Sequence, residues 1–224
     1  MKPSSEASWP QARRGAGRVA LATTLFALWH SFLCWQNTKN FVKTHLGERR
    51  GTHGYRAFFM AQSLVTTVTL AVFILKQPHR TLYNARGWRK IAAWSVQGAA
   101  LLVAGWAIAS LDTGKFLGLK GLRAIVSGEN LSEAQAQGPE LESGVFQARG
   151  PYGWSRHPLE WVPPILLFST PKMKTNWLPF DILTALYCFV GALHEEKRLL
   201  DQHPEAFAEY QEKVSFWVRK PKRD

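Results

Sequence analysis

Apolar residues gather into five runs separated by polar, mostly basic stretches. The first extends from Val19 to Trp35, the second from Ala57 to Leu75 and the third from Ile91 to Leu111. The second and third hold no charged residue over 19 and 21 positions, the length a helix needs to cross a hydrocarbon core of about 30 Å. Two more runs, 158–170 and 177–193, are joined by a short TPKMKTN connection, which predicts an antiparallel helical hairpin. The fourth reaches only about 20 Å as a helix, and Pro163-Pro164 predict a distortion in it. Trp35, Trp88, Trp94, Trp154, Trp161 and Trp177 fall at or near the run ends, where indole rings favour the headgroup layer. The pattern predicts an all-α fold, a multi-pass transmembrane helical bundle of about five segments forming one membrane domain over residues 1–224. A soluble helical bundle has a mean hydropathy of −0.17 in its favour, but leaves the two long uncharged runs unexplained.

Arg13, Arg14 and Arg18 precede the first run as they would in a signal peptide. No small-x-small cleavage site follows and His30 interrupts the run, so it is read as retained. Residues 112–157 form a polar linker whose acidic, Gly-rich centre, SGENLSEAQAQGPELESG, predicts loop. Residues 194–224 form a polar tail in which Phe207, Tyr210, Val214 and Trp217 recur at three- or four-residue steps. That periodicity predicts an amphipathic helix, lying on a membrane surface or docked on the protein.

The net charge of +12 raises nucleic acid as a partner. The basic residues fall between apolar runs instead of along one stripe, and no zinc-finger spacing, RNA-binding signature or basic heptad helix is present, so a nucleic-acid partner is excluded in favour of membrane lipid. The two cysteines, Cys34 and Cys188, lie in apolar runs; they make no disulfide framework and leave the redox compartment open.

The stretch GPYGWSRHPLEW places Arg156, His157 and Pro158 at the doorstep of the fourth run. Alone it has a plain explanation: Pro158 suits the first helical turn and Arg156 snorkels to lipid phosphate. In an antiparallel hairpin, however, the start of the first helix and the end of the second share one face. Arg156 and His157 then converge with His194, Glu195 and Glu196, and a charge cluster at a membrane boundary is a site hypothesis.

The stretch GPYGWSRHP, the hairpin and HEEKRLLDQHPEAFAEYQEKVSFWVRKP resemble the C-terminal signature of the integral-membrane methyltransferases related to isoprenylcysteine carboxyl methyltransferase and phospholipid methyltransferase. Upstream, WHSFLCWQNTKNFV, GYRAFF and LDTGKFLGLKGLR are similar to the branch holding methanethiol S-methyltransferase and the NnrU-type membrane proteins. The resemblance implies an S-adenosylmethionine-dependent methyltransferase acting on a small or lipophilic thiol or carboxylate. It implies a cofactor site of Tyr152, Arg156, His157, Pro158, His194, Glu195, Glu196 and Tyr210, with Arg156, His157 and Glu196 catalytic. In such a site Arg156 can grip a carboxylate, a glutamate can accept from an amino group or ribose hydroxyls, and carboxylates or the Trp154 face favour the sulfonium.

Several positions depart from the family pattern. Glu160 stands where Tyr is usual, Val162-Pro163-Pro164 replaces a small residue, His203-Pro204 replaces an aromatic-Gly pair and Phe207 takes the place of the first Tyr. Two alternatives stay open. The NnrU-type branch also resembles a haem-using plastid carotene isomerase, which would make His30 and His157 iron ligands; otherwise the chain is a non-catalytic accessory membrane protein that kept the scaffold. With five spans and an outside N-terminus, 17 Lys and Arg fall in cytoplasmic segments and 11 outside, which predicts a cytoplasmic cofactor site. The methyl acceptor, the membrane and the oligomeric state are not determined by the sequence.

Overall fold

In a computed structural model, residues 6–131, 141–142, 145–146 and 148–217 are described. Among the described residues the protein is predominantly helical, with four short strands. The elements are α1 (Trp9–Cys34), α2 (Gln36–Leu46), α3 (Glu48–His53), α4 (Tyr55–Lys76), β1 (Thr81–Asn84), α5 (Trp88–Ala109), α6 (Thr113–Phe116) and α7 (Leu119–Ser127). They continue as β2 (Leu141–Glu142), β3 (Val145–Phe146), a 3₁₀ turn (Gly150–Gly153), α8 (Pro158–Phe168), β4 (Lys172–Lys174), α9 (Leu178–Gln202) and α10 (Pro204–Lys213).

Among the described residues three helices, α1, α4 and α5, are long and apolar enough to cross a membrane. Their large side chains stay uncovered by protein: Leu64, Leu101 and Leu102 are each more than half exposed. Faces of that kind in helices of 22 residues or more require lipid as their solvent. This is a helical membrane protein.

The chain divides into two compact units, Met1–Thr23 with Phe73–Ser110 and Leu141–Asp224, and Thr24–Val72 with Leu111–Glu140. In the second unit the start of the expected linker is helical. Asp112 caps α6, its carboxylate accepting from the Lys115 N–H at 3.0 Å and pairing with Lys120. Arg49 donates to the carbonyls of Ala124 and Ile125 near the end of α7, at 3.2 and 3.0 Å, where a cation suits the unsatisfied carbonyls. Here Gly121 is forced by close approach: a Cβ would stand 2.0 Å from the His53 carbonyl oxygen. Gly121→Ala is expected to lower stability by about 1–3 kcal/mol, read as a lower apparent melting temperature in detergent. The expected loop at the linker's centre falls largely on residues 132–140, outside the described residues.

In the first unit, α8 and α9 form the expected hairpin. Pro158 sits at the first helical position of α8, where its missing N–H is no loss. The helix runs on through Pro163 and Pro164, and Gln97 of α5 donates to the Leu166 carbonyl at 2.8 Å. Its 11 residues reach only about 16 Å, well short of a bilayer core. The connection carries β4, antiparallel to β1 with Thr81 opposite Lys174. The 25 residues of α9 run about 37 Å, past the apolar run, so that Glu195 and Glu196 project beyond it. The tail takes the docked alternative: Phe207, Tyr210 and Val214 are buried with Leu199 against Phe146, while Trp217 is exposed. The helix stops at Lys213, Val214 being extended, so the apolar period does not continue as helix to Trp217.

Candidate active site

The site is assembled where α8 begins and the end of α9 arrives. Gly150 has a φ of 56°, and a Cβ on it would meet Ser110 Oγ at 2.2 Å; glycine lets the 3₁₀ turn lie against the end of α5. Trp154 packs edge-on to Trp106, 4.8 Å between centroids. The buried hydroxyl of Ser155 ties the C-terminal segment to the first turn of α8. It donates to the Phe216 carbonyl at 3.0 Å and accepts from the His157 N–H at 3.2 Å and the Trp161 indole at 3.1 Å.

Glu196 is the centre of the cluster. Its Oε1 accepts from Arg156 Nε at 2.7 Å and lies 3.0 Å from His157 Nε2, and its Oε2 accepts from Gln211 Nε2 at 2.9 Å. Arg156 Nη1 donates to the carbonyls of Val214 at 2.5 Å and Gln211 at 3.4 Å. Burial pushes the Glu196 carboxyl up, but the hydrogen bonds and charges of Arg156 and His157 outweigh it and hold the group below its ordinary value of 4.5.

His157 is 3% exposed and its ring packs on Phe216, 4.9 Å between centroids. A tautomer with its proton on Nε2 donates to Glu196 and leaves the lone pair on Nδ1. There it meets two carboxylates beyond hydrogen-bonding distance, Glu195 at 3.7 Å and Glu160 at 3.9 Å, both partly exposed. Nδ1 and one oxygen from each glutamate lie within 4.8 Å of one another, a set that could hold a metal ion or another compact cation. Three carboxylates thus stand against one guanidinium and one imidazole, with Arg198 at the rim, 3.4 Å from Glu195.

The structure therefore brings together Arg156, His157, Glu195 and Glu196, with Pro158 buried behind them. His194 is exposed and makes no contact with the cluster among the described residues. It lies on a different face of α9 because adjacent helical residues diverge by about 100°. Tyr210 donates to the Tyr152 carbonyl at 2.8 Å, and burial pushes its hydroxyl up to about 12. Tyr210→Phe is expected to cost roughly 0.5–1.5 kcal/mol, seen as a lower melting temperature. Three participants escape sequence reasoning: Ser155, Gln211 and Phe216. Gln211 neighbours Tyr210, but only a docked α10 turns its amide to Glu196. Glu160, a departure from the family pattern, proves to be a member of the cluster.

A protein from a Pseudomonas species named methanethiol S-methyltransferase is 31% identical over 209 residues, 92% of this chain and 73% of its own length. The chain belongs to the methanethiol S-methyltransferase family. Proteins of the same name from Mycobacterium tuberculosis, 31% identical over 147 residues, and, as methanethiol S-methyltransferase 1, from Bradyrhizobium diazoefficiens, 25% identical over 142, are covered by the chain over 57% and 47% of their lengths. No family model and no solved structure matches the chain. Membership in the methanethiol S-methyltransferase family makes the chain a methyltransferase and replaces the accessory-protein alternative. The haem alternative gains no support. His30 packs against the rings of Phe26 and Phe59, with centroids 5.8 and 4.6 Å away, and His157 Nε2 faces Glu196.

Proposed function

We propose that the chain is an integral, multi-pass methyltransferase that uses S-adenosylmethionine to methylate a small thiol of the methanethiol class, with its cofactor face in the cytoplasm. The carrying observation is the carboxylate-rich mouth of Glu160 and Glu195 around His157 Nδ1, backed by the Arg156–Glu196 pair. S-adenosylmethionine carries an ammonium and a sulfonium against one carboxylate, so its net positive charge fits a cluster with a surplus of carboxylates. The half-exposed Trp154 face adds a surface that favours a cation.

When bound, S-adenosylmethionine supplies a methyl group on a cationic sulfur. The chain's own task is to position the acceptor and remove its proton. His157 Nδ1 is the proton acceptor for the thiol, and Glu196 orients the ring and stabilises the imidazolium that forms. Glu195 and Glu160 stabilise the same positive charge from the other side. A carboxylate acceptor is disfavoured here, because two like charges already flank the approach. Arg156 commits Nε and Nη1 to Glu196 and to the tail's carbonyls, so it positions Glu196 and the tail. Tyr152 and Pro158 shape the wall.

The test is calorimetric titration of the detergent-purified protein with S-adenosylmethionine, followed by deuteromethyl transfer to methanethiol detected by mass spectrometry. Saturable binding and labelled product are expected, with transfer abolished in His157→Gln while binding survives. A protein that binds no S-adenosylmethionine, or shows a Soret band lost in His30→Ala, overturns the reading.

A further inference from the structure

A second feature lies at the far end of the same unit. Leu178 begins α9 and Glu196 lies 18 positions on, so the two are about 27 Å apart along the helix. At this far end the N–H of Ala7 donates to the His79 carbonyl, β1 pairs with β4, and a groove of about 390 Å³ opens between α1 and the start of α9. Small residues, Ala12, Ala16 and Ala20, line it from α1, and Leu178 and Ile182 line it from α9, with Arg13 also contributing. The volume lies within the range of small-molecule sites.

The charge around this end is one-sided. Segments 9–18, 76–90 and 172–174 carry ten lysines and arginines and no acidic residue. Among the described residues outside the apolar runs, Glu6 is the acid found here, paired with Arg80 at 3.7 Å. Aromatic rings accompany these cations: Arg80 lies over Trp9 at 4.8 Å and Lys90 over Trp94 at 4.5 Å, a pairing that suits a membrane interface. From Arg13 to Ala20 the groove descends about 10 Å along α1, from the basic end into the apolar run that starts at Val19.

We propose that this groove binds one anionic phospholipid, its acyl chain lying along Ala16 and Ala20 and its phosphate at Arg13. A wall of small side chains leaves room for a hydrocarbon chain, and a basic rim whose described acid, Glu6, is paired with Arg80 selects a negative headgroup. Distance from His157 separates the groove from the methyl acceptor, so this site is structural or regulatory and does not depend on which acceptor the enzyme uses.

The experiment compares dioleoyl phosphatidylglycerol with dioleoyl phosphatidylcholine on the full chain in dodecyl maltoside, by native mass spectrometry and by thermal melting. Phosphatidylglycerol is expected to remain as a single adduct and to raise the melting temperature more, with the difference shrinking as salt screens the headgroup contact. Gly17 lines the groove, and a Cβ added there would meet no atom within 4 Å, so a side chain can leave the backbone there and Gly17→Leu occupies the groove. That variant should keep its helical circular dichroism and lose the adduct, whereas Arg13→Gln should keep chain binding and lower the preference for phosphatidylglycerol about fivefold. Equal binding of the two lipids, or an adduct that persists in a folded Gly17→Leu, overturns the proposal. A protein dimer that dissociates in Gly17→Leu overturns it too, assigning the groove to a second copy.

Discussion

Replacing Glu196 by alanine is expected to abolish methyl transfer and to lower stability by about 3–5 kcal/mol, the usual penalty for stranding one member of a buried ion pair. Arg156 and Glu196 have side chains only 10% and 12% exposed, so neither can turn to water when the other is lost. The substitution also removes the acceptor for Gln211 and the group that orients His157. Melting in detergent and calorimetric titration with S-adenosylmethionine measure the two effects. Glu196→Gln separates them: it keeps an oxygen for Arg156 and His157 without the charge, so it should recover much of the stability and little of the transfer rate. The pH dependence has a fixed sign. Glu196 is held below 4.5, so its contribution is present above the ordinary carboxylate range and is lost as pH falls through the lowered value. The wild-type protein should therefore keep the full Glu196 contribution from neutrality down to the ordinary carboxylate range and lose it progressively as pH falls on through the lowered value, while Glu196→Gln shows no such loss.

The hairpin was legible because two apolar runs joined by a short connection leave few arrangements, and antiparallel packing then obliges Arg156 to meet the end of α9. Which of three consecutive residues face inward was not legible from charge alone. His194, Glu195 and Glu196 are all polar, and only the phase of α9 against α8 sends His194 outward and Glu196 beneath Arg156. The tail shows the complementary difficulty. Phe207 and Tyr210 carry the same period whether the opposing surface is lipid or protein, and Phe146, which completes that core, comes from a distant segment rich in loop-forming residues. Helices α6 and α7 were obscured by their glycines. Glycine weakens a helical pattern, yet Gly118 supplies a left-handed N-cap with a φ of 78°, and Gly121 supplies the close contact with His53.

Phe207 carries the second large effect from outside the charged cluster. It is 1% exposed and packs against Phe146, 5.3 Å between centroids, and Tyr210, 6.1 Å. Phe207→Ala should destabilise the C-terminal segment by about 3–5 kcal/mol, since a large ring leaves a cavity that the surrounding helices fill only in part. The loss is transmitted along α10. Gln211 holds Glu196 Oε2, and the carbonyls of Gln211, Val214 and Ser215 hold Arg156. Undocking the helix therefore removes four hydrogen bonds from the cluster with its ionisable residues unchanged. Hydrogen exchange over residues 204–217 should accelerate ahead of the rest of the chain, with S-adenosylmethionine affinity falling in parallel; unchanged affinity alongside faster exchange would show that the tail does not support the site. Phe207→Tyr is the sharper control. It restores the hydroxyl usual in the family pattern, but in a position this buried that hydroxyl must find a partner or cost about 1–3 kcal/mol. On that expectation the phenylalanine is the better residue for this core, and the departure at position 207 is one of packing.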